Sequence, residues 1–161
     1  TPRLQTCAML LESYGLRLGL EFVGPHHLRR KWKPPFIDSM PAVLDWIGTI
    51  GRPNVGLLLD VYHWYTTELT LEHIRALDVS DIVHVHINDA PDVPVEEALD
   101  NGRLYPGEGV IDVKGFLSVL AEIGYNGIVA QEILTSAPPQ GSTEQLIKHS
   151  ARAFANVWPT G

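Results

Sequence analysis

Ile82-Val83-His84-Val85-His86-Ile87-Asn88-Asp89 is the stretch that decides the fold. Its first six residues are strand-length and rich in Val and Ile, as expected of a strand buried on both faces of a parallel sheet. In a strand, side chains alternate between faces, so His84 and His86 point the same way. Two imidazoles on one inward face suit a mixed nitrogen and oxygen metal site. His84 is equally readable as a satisfied core histidine. The ligand role is therefore assigned to His86, which lies nearer the end of the strand.

Three further apolar runs of similar length flank this one, at residues 16–23, 55–60 and 127–134. Segments with helical spacing lie between and after them. Residues 36–50 place Met40, Val43, Leu44, Ile47 and Ile50 on one face. Residues 71–77 open with Thr70 as N-cap, and residues 113–123 with Asp112. Residues 143–158 open with Ser142 and carry Gln145 three positions on, a capping-box pattern. Strand and helix thus alternate, with turns such as Gly51-Arg52-Pro53-Asn54 and Gly124-Tyr125-Asn126-Gly127 before the next strand. This order predicts repeated βα units and a parallel sheet.

Each apolar run ends in ionisable residues: Glu21, then Asp60 with His63, then His86 with Asp89, then Glu132. Parallel strands carry their C-terminal ends to one rim, where α/β proteins build their active sites. A carboxylate inside a run such as Leu18-Gly19-Leu20-Glu21-Phe22 is costly unless a cation or metal compensates it. Glu21, Asp60, His86 and Glu132 are therefore read as ligands of one divalent metal. Three carboxylates and one imidazole favour Mn²⁺ or Mg²⁺, with Co²⁺ or Zn²⁺ as alternatives. In Asp60-Val61-Tyr62-His63, the Asp supplies a ligand and His63 a donor to substrate. Trp64 and Arg103 are further candidates for substrate contact, and Asp89 for orienting His63 or His86. The basic loop at residues 26–33 suits either an acidic substrate or plain solvation.

Four βα units make half of a barrel, and a four-stranded sheet covered on one side leaves its other face and both edges exposed. The chain is accordingly read as a single domain, residues 1–161, that forms half of a (β/α)8 TIM barrel. It would be completed by a missing N-terminal half or by a homo-oligomeric partner. Residues 4–14 would then be the tail of a helix from the other half, and the absence of an initiating Met agrees. The competing reading is a complete flavodoxin-like domain, which lacks support from any Gly-rich phosphate loop after the first strand.

The totals set outer limits. At 161 residues with 45% hydrophobic and 19% charged residues, the chain is that of an ordinary globular protein. A net charge of −7 argues against a duplex nucleic-acid surface. The single cysteine, Cys7, excludes an internal disulfide and points to a reducing, cytoplasmic setting. No apolar run approaches the ~20 residues that span a bilayer.

The order Leu-Glu-Phe (20–22), Asp-Val-Tyr-His (60–63), His-Ile-Asn-Asp (86–89), Pro-Gly-Glu-Gly-Val-Ile-Asp (106–112) and Gln-Glu (131–132) resembles the xylose isomerase-like TIM barrel superfamily. That group holds sugar epimerases and isomerases, inosose and dehydroshikimate dehydratases, and apurinic endonucleases. The resemblance runs from residue 16 to 158 and implies βα units five to eight. It implies Glu21, Asp60, His86 and Glu132 as metal ligands, His63 as a substrate-contacting donor, and residues 106–112 as the loop into the seventh helix. Two departures stand out. Ketohexose epimerases carry an Arg six residues after the ligand His, where this chain has Asp92. Apurinic endonucleases carry an Asp-x-His pair where this chain has Asn101 and Arg103, which argues against a trinuclear zinc site.

The chemistry implied is enediolate formation on a sugar or related polyhydroxy ketone, with Glu21 and Glu132 as the acid/base pair. Return of the proton to the opposite face epimerises the substrate, return to the neighbouring carbon isomerises it, and loss of a β-hydroxyl dehydrates it. The same residues serve all three. A metal-dependent isomerase or epimerase is the principal expectation. An inosose- or dehydroshikimate-type dehydratase and a non-catalytic half-barrel binding module are the alternatives.

Overall fold

The computed structural model describes residues 1–29 and 31–158. Arg30, part of the basic loop, and residues 159–161 lie outside the described residues. Helix α1 (Pro2–Glu12) leads into strand β1 (Leu18–Leu20), followed by the short α2 (His26–Arg29) and by α3 (Met40–Ile50). Next come β2 (Val55–Asp60), α4 (Val61–Thr66), α5 (Leu71–Arg75) and β3 (Ile82–Ile87). The chain ends with α6 (Val113–Glu122), β4 (Val129–Gln131) and α7 (Thr143–Val157). Among the described residues, no helix is long and apolar enough to cross a membrane.

The strands form one parallel sheet in the order β1-β2-β3-β4. Sequential order without a switch point is what a barrel wall requires. A flavodoxin-like sheet would instead be ordered 2-1-3-4. The two faces of the sheet also differ in burial. Leu57, Leu59, Val85 and Ile87 are inaccessible to solvent and belong to the main core with Phe116, Leu117 and Leu120 of α6 and Val43 of α3. The residues between them, Leu58, His84 and His86, are only half-buried. They share one face, because Leu58 pairs with His84 and Asp60 with His86 across the β2–β3 ladder. One side of the sheet is therefore packed under helices. The other, which would face a barrel interior, is incompletely covered.

Local chemistry fixes the element ends. Gly51 closes α3 in the left-handed conformation (φ 64°), which costs glycine nothing sterically. The Asp112 carboxylate accepts the Gly115 amide at 2.9 Å and caps α6. Ser142 and Gln145 form the reciprocal box expected at the start of α7. At the opposite end of the sheet from Asp60 and His86, Ala8 of α1 packs on Ile50 and Val55. There the buried Asn54 amide donates to the carbonyls of Ala8 and Leu16 at 2.8 and 3.1 Å.

The helix α4 is not among the helical segments expected from the sequence. Its residues Val-Tyr-His-Trp-Tyr-Thr show no polar face and hence no helical period. The helix forms because Asp60, the last residue of β2, caps it by accepting the Tyr62 amide at 2.7 Å.

Candidate metal centre

Four side chains from four strand ends meet at the rim. Glu21 follows β1, Asp60 ends β2, His86 lies one residue before the end of β3, and Glu132 follows β4, where its amide donates to Ile87 O at 3.1 Å. Each contributes one potential ligand atom, and these atoms lie within 4.8 Å of one another. The His86 Nδ1 is 3.4 Å from Glu132 Oε2 and 3.6 Å from Asp60 Oδ2.

The electrostatics are those of crowded negative charge, wholly buried at Asp60 and about a third exposed at Glu21 and Glu132. Burial, reinforced by the Asp60 and Glu132 carboxylates, pushes the Glu21 carboxyl up to about 8. Burial also works against the Asp60 charge. It is outweighed by His86, by the Arg103 guanidinium and by the Tyr62 amide, which together hold Asp60 well below the usual carboxylate range. The nearby Asp60 carboxylate raises His86, whereas burial lowers His63.

Two buried atoms in this cluster, Glu21 Oε1 and His86 Nδ1, have no hydrogen-bond partner. Such atoms are costly to leave unpaired. A divalent cation in the space between them would satisfy both. The hard oxygen-rich donor set fits such an ion as well, so the residues present fit a metal.

His63 sits beside the cluster. Its Nδ1 accepts the Gly24 amide at 3.3 Å, which assigns the proton of the neutral ring to Nε2. That Nε2 is 3.6 Å from Glu21 Oε1. His84 packs edge-on against His86, with ring centroids 4.9 Å apart.

Three residues occupy positions other than those read from the sequence. Trp64, expected to wall a substrate pocket, packs into the core against Phe116, and its indole N–H donates to Thr70 O. The helix α4 turns its ring toward α6 and away from the cluster. Arg103, expected to reach substrate, has a side chain only 1% exposed. Its Nη1 donates to Asp60 Oδ2 and to Glu132 Oε2, each at 2.8 Å. Asp89, expected to orient a histidine, accepts backbone amides from Ala90, Gly107, Gly109 and Ile111 instead. In the basic loop, Arg29 is bound to the carbonyls of Gly24 and Thr66 and braces the loop.

Asn88 was not singled out from the sequence. It is fully buried, and its amide donates to both Asp60 oxygens and to Glu132 O at 3.2–3.4 Å. The period of two that aligned His84 with His86 also carries Asn88 to the same face.

Residues 2–156 match the family described as xylose isomerase-like TIM barrel. The inosose isomerase of Bacillus velezensis is 32% identical over 139 residues, covering 86% of this chain and 47% of that protein. A xylose isomerase domain protein from Alicyclobacillus acidocaldarius subsp. acidocaldarius superposes with a TM-score of 0.79 at 41% identity, over 94% of this chain and 56% of that one. The IOLI protein, solved with a zinc atom, superposes with a TM-score of 0.81 at 29% identity, over 96% of this chain and 53% of that one. The chain spans about half the length of the relatives it matches.

Proposed function

Because the chain belongs to the xylose isomerase-like TIM barrel family, we propose that it supplies βα units five to eight of a divalent metal-dependent isomerase or epimerase acting on a polyhydroxy ketone. The rest of the barrel comes from an N-terminal half or from a second copy. The similarity to an inosose isomerase makes a cyclic polyol ketone the first substrate to test. The observation that carries this reading is the convergence of Glu21, Asp60, His86 and Glu132, with two of their ligand atoms buried and unpartnered.

A divalent ion held by these four residues supplies positive charge against the negative charge that develops on substrate oxygens. The protein's own side chains move the protons. One of the carboxylates of Glu21 and Glu132 takes the proton from the carbon beside the carbonyl, leaving an enediolate and a protonated carboxyl. Delivery of a proton from the other carboxyl to the opposite face of that carbon gives the epimer. Delivery to the former carbonyl carbon, with the neighbouring hydroxyl proton passing to the former carbonyl oxygen, moves the carbonyl and gives the isomer. His63 offers its Nε2–H to a substrate oxygen beside Glu21.

The test is metal content and affinity of the full-length protein, wild type against Glu132→Ala, followed by product analysis with inososes and ketoses. One equivalent of divalent metal, lost in the variant, together with turnover of a ketone in the panel, is the expected result. A wild-type protein without stoichiometric metal overturns the reading.

A further inference from the structure

Arg103 has no role in the proton transfers just described, yet it is the most enclosed cation at the rim. Its side chain is 1% exposed, and three of its nitrogens are engaged. Nη1 bridges Asp60 and Glu132 at 2.8 Å each, Nη2 donates to Asp100 Oδ1 at 2.6 Å, and Nε donates to Asp100 O at 3.1 Å. The guanidinium carbon lies 5.0 Å from the centre of the Tyr62 ring, and Tyr62 is itself fixed by its hydroxyl to Leu99 O at 2.7 Å. The backbone is held on both sides of the arginine. Gly102 forms a bridge with Thr135 and Leu104 forms one with Asp89, and the Arg103 amide donates to Leu134 O.

We infer that Arg103 is a positioning residue, a built-in cation that clamps Asp60 and Glu132 as a pair beside the position of a single divalent ion. The inference rests on the metal-site reading above. Two carboxylates that approach one ligand position, one wholly buried and the other about a third exposed, repel each other. The guanidinium joins His86 and the Tyr62 amide around Asp60, which is wholly buried, and brings a permanent positive charge to it. Together, the four carboxylates of Glu21, Asp60, Asp100 and Glu132 and one guanidinium carry a net charge of −3, which one divalent ion reduces to −1. Only a fork fits these partners. A lysine ammonium has the charge but cannot reach both carboxylates and Asp100 in fixed directions.

Charge and positioning make opposite predictions. If Arg103 acted only as a charge near the metal, its removal would relieve repulsion and tighten metal binding. If it positions ligands, its removal loosens binding, by about 10–100-fold for an outer-shell partner of this kind. The experiment titrates Mn²⁺ and Co²⁺ into the full-length wild type, Arg103→Met, Arg103→Lys and Asp100→Asn. The Co²⁺ absorption spectrum reports ligand geometry, and circular dichroism of the metal-free protein reports the fold.

The expected result is a folded Arg103→Met with affinity reduced about 10–100-fold and an altered Co²⁺ spectrum. Arg103→Lys should fall short of wild type, and Asp100→Asn should weaken binding by a smaller factor. A folded Arg103→Met that binds as tightly as wild type, or more tightly, overturns the inference. Should Arg103→Met fail to fold, Asp100→Asn decides in its place, and wild-type affinity with a wild-type spectrum there overturns it. Failure of the wild type to hold stoichiometric metal is a separate result, which sinks the metal-site reading and the arginine's role with it.

Discussion

The Asp89 carboxylate holds Gly109 from two directions: its Oδ2 accepts the Gly109 amide at 2.9 Å, and a β-carbon at residue 109 would lie 2.7 Å from its Oδ1. The same carboxylate takes the amides of Gly107 and Ile111 at 2.9 and 2.8 Å, and that of Ala90 at 2.9 Å. One wholly buried side chain thus fixes the loop between Pro106 and Asp112 against the end of β3. Asp89→Ala leaves these amides without their acceptor. At about 1–3 kcal/mol for each buried group left unsatisfied, the amides of Ala90 and Ile111 alone should cost about 2–6 kcal/mol. A denaturant midpoint within error of wild type would contradict this account of the loop.

Two glycines should respond to alanine in opposite ways. At Gly109 the new β-carbon would lie 2.0 Å from the Ala90 carbonyl oxygen, a clash with backbone that only a shift of the loop can relieve. Strain of this kind costs about 1–3 kcal/mol. Gly48 lies inside α3 with nothing within 4 Å of its β-position. There alanine should stabilise by about 0.5–1 kcal/mol through helix propensity and reduced unfolded-chain freedom. Paired thermal melts of Gly109→Ala and Gly48→Ala test the contrast.

The sequence made the strands and the meeting of Glu21, Asp60, His86 and Glu132 at one rim legible for a physical reason. A buried run of Val, Ile and Leu that stops at a charged residue has few explanations, and four such runs in one parallel order send their charges to one rim. The remaining errors share a cause too. Trp64 belongs to the core because α4 turns it toward α6, and α4 has no apolar period to announce it. Arg103 lies 43 residues from Asp60 and 29 from Glu132 and approaches them through an irregular segment, so no spacing rule connects them. The amide partners of Asp89 lie up to 22 residues downstream. Gly107 and Gly109 were the visible trace of that contact, as residues that permit close backbone approach.

Metal should stabilise the protein by mass action. A divalent ion at about 100 times its dissociation constant adds about 2.7 kcal/mol if it binds only the folded state. The thermal midpoint of the wild type should therefore rise with Mn²⁺ and fall on chelation. Glu21→Gln, which keeps the shape of a ligand but weakens its donor, should show a much smaller rise. Identical shifts in both proteins would place the bound ion elsewhere.

His63 offers a way to separate substrate contact from metal binding. It is 4% exposed, its ring lies 6.1 Å from that of Phe22, and its Nδ1 is occupied by the Gly24 amide, so only Nε2–H faces the cluster. His63→Phe keeps a planar ring in the core but removes that donor. A hydrogen bond to a substrate oxygen that gains charge is worth about 1.5–3 kcal/mol, so kcat/KM should fall about 10–100-fold. Metal affinity should stay near wild type, because His63 is not among the four side chains that converge as a candidate metal site. The fall should be carried by kcat if the bond strengthens as negative charge develops, and by KM if the bond serves ground-state binding alone. A His63→Phe protein that turns over substrate at the wild-type rate, with metal bound, would remove His63 from the reaction and leave it as a brace for residues 22–24.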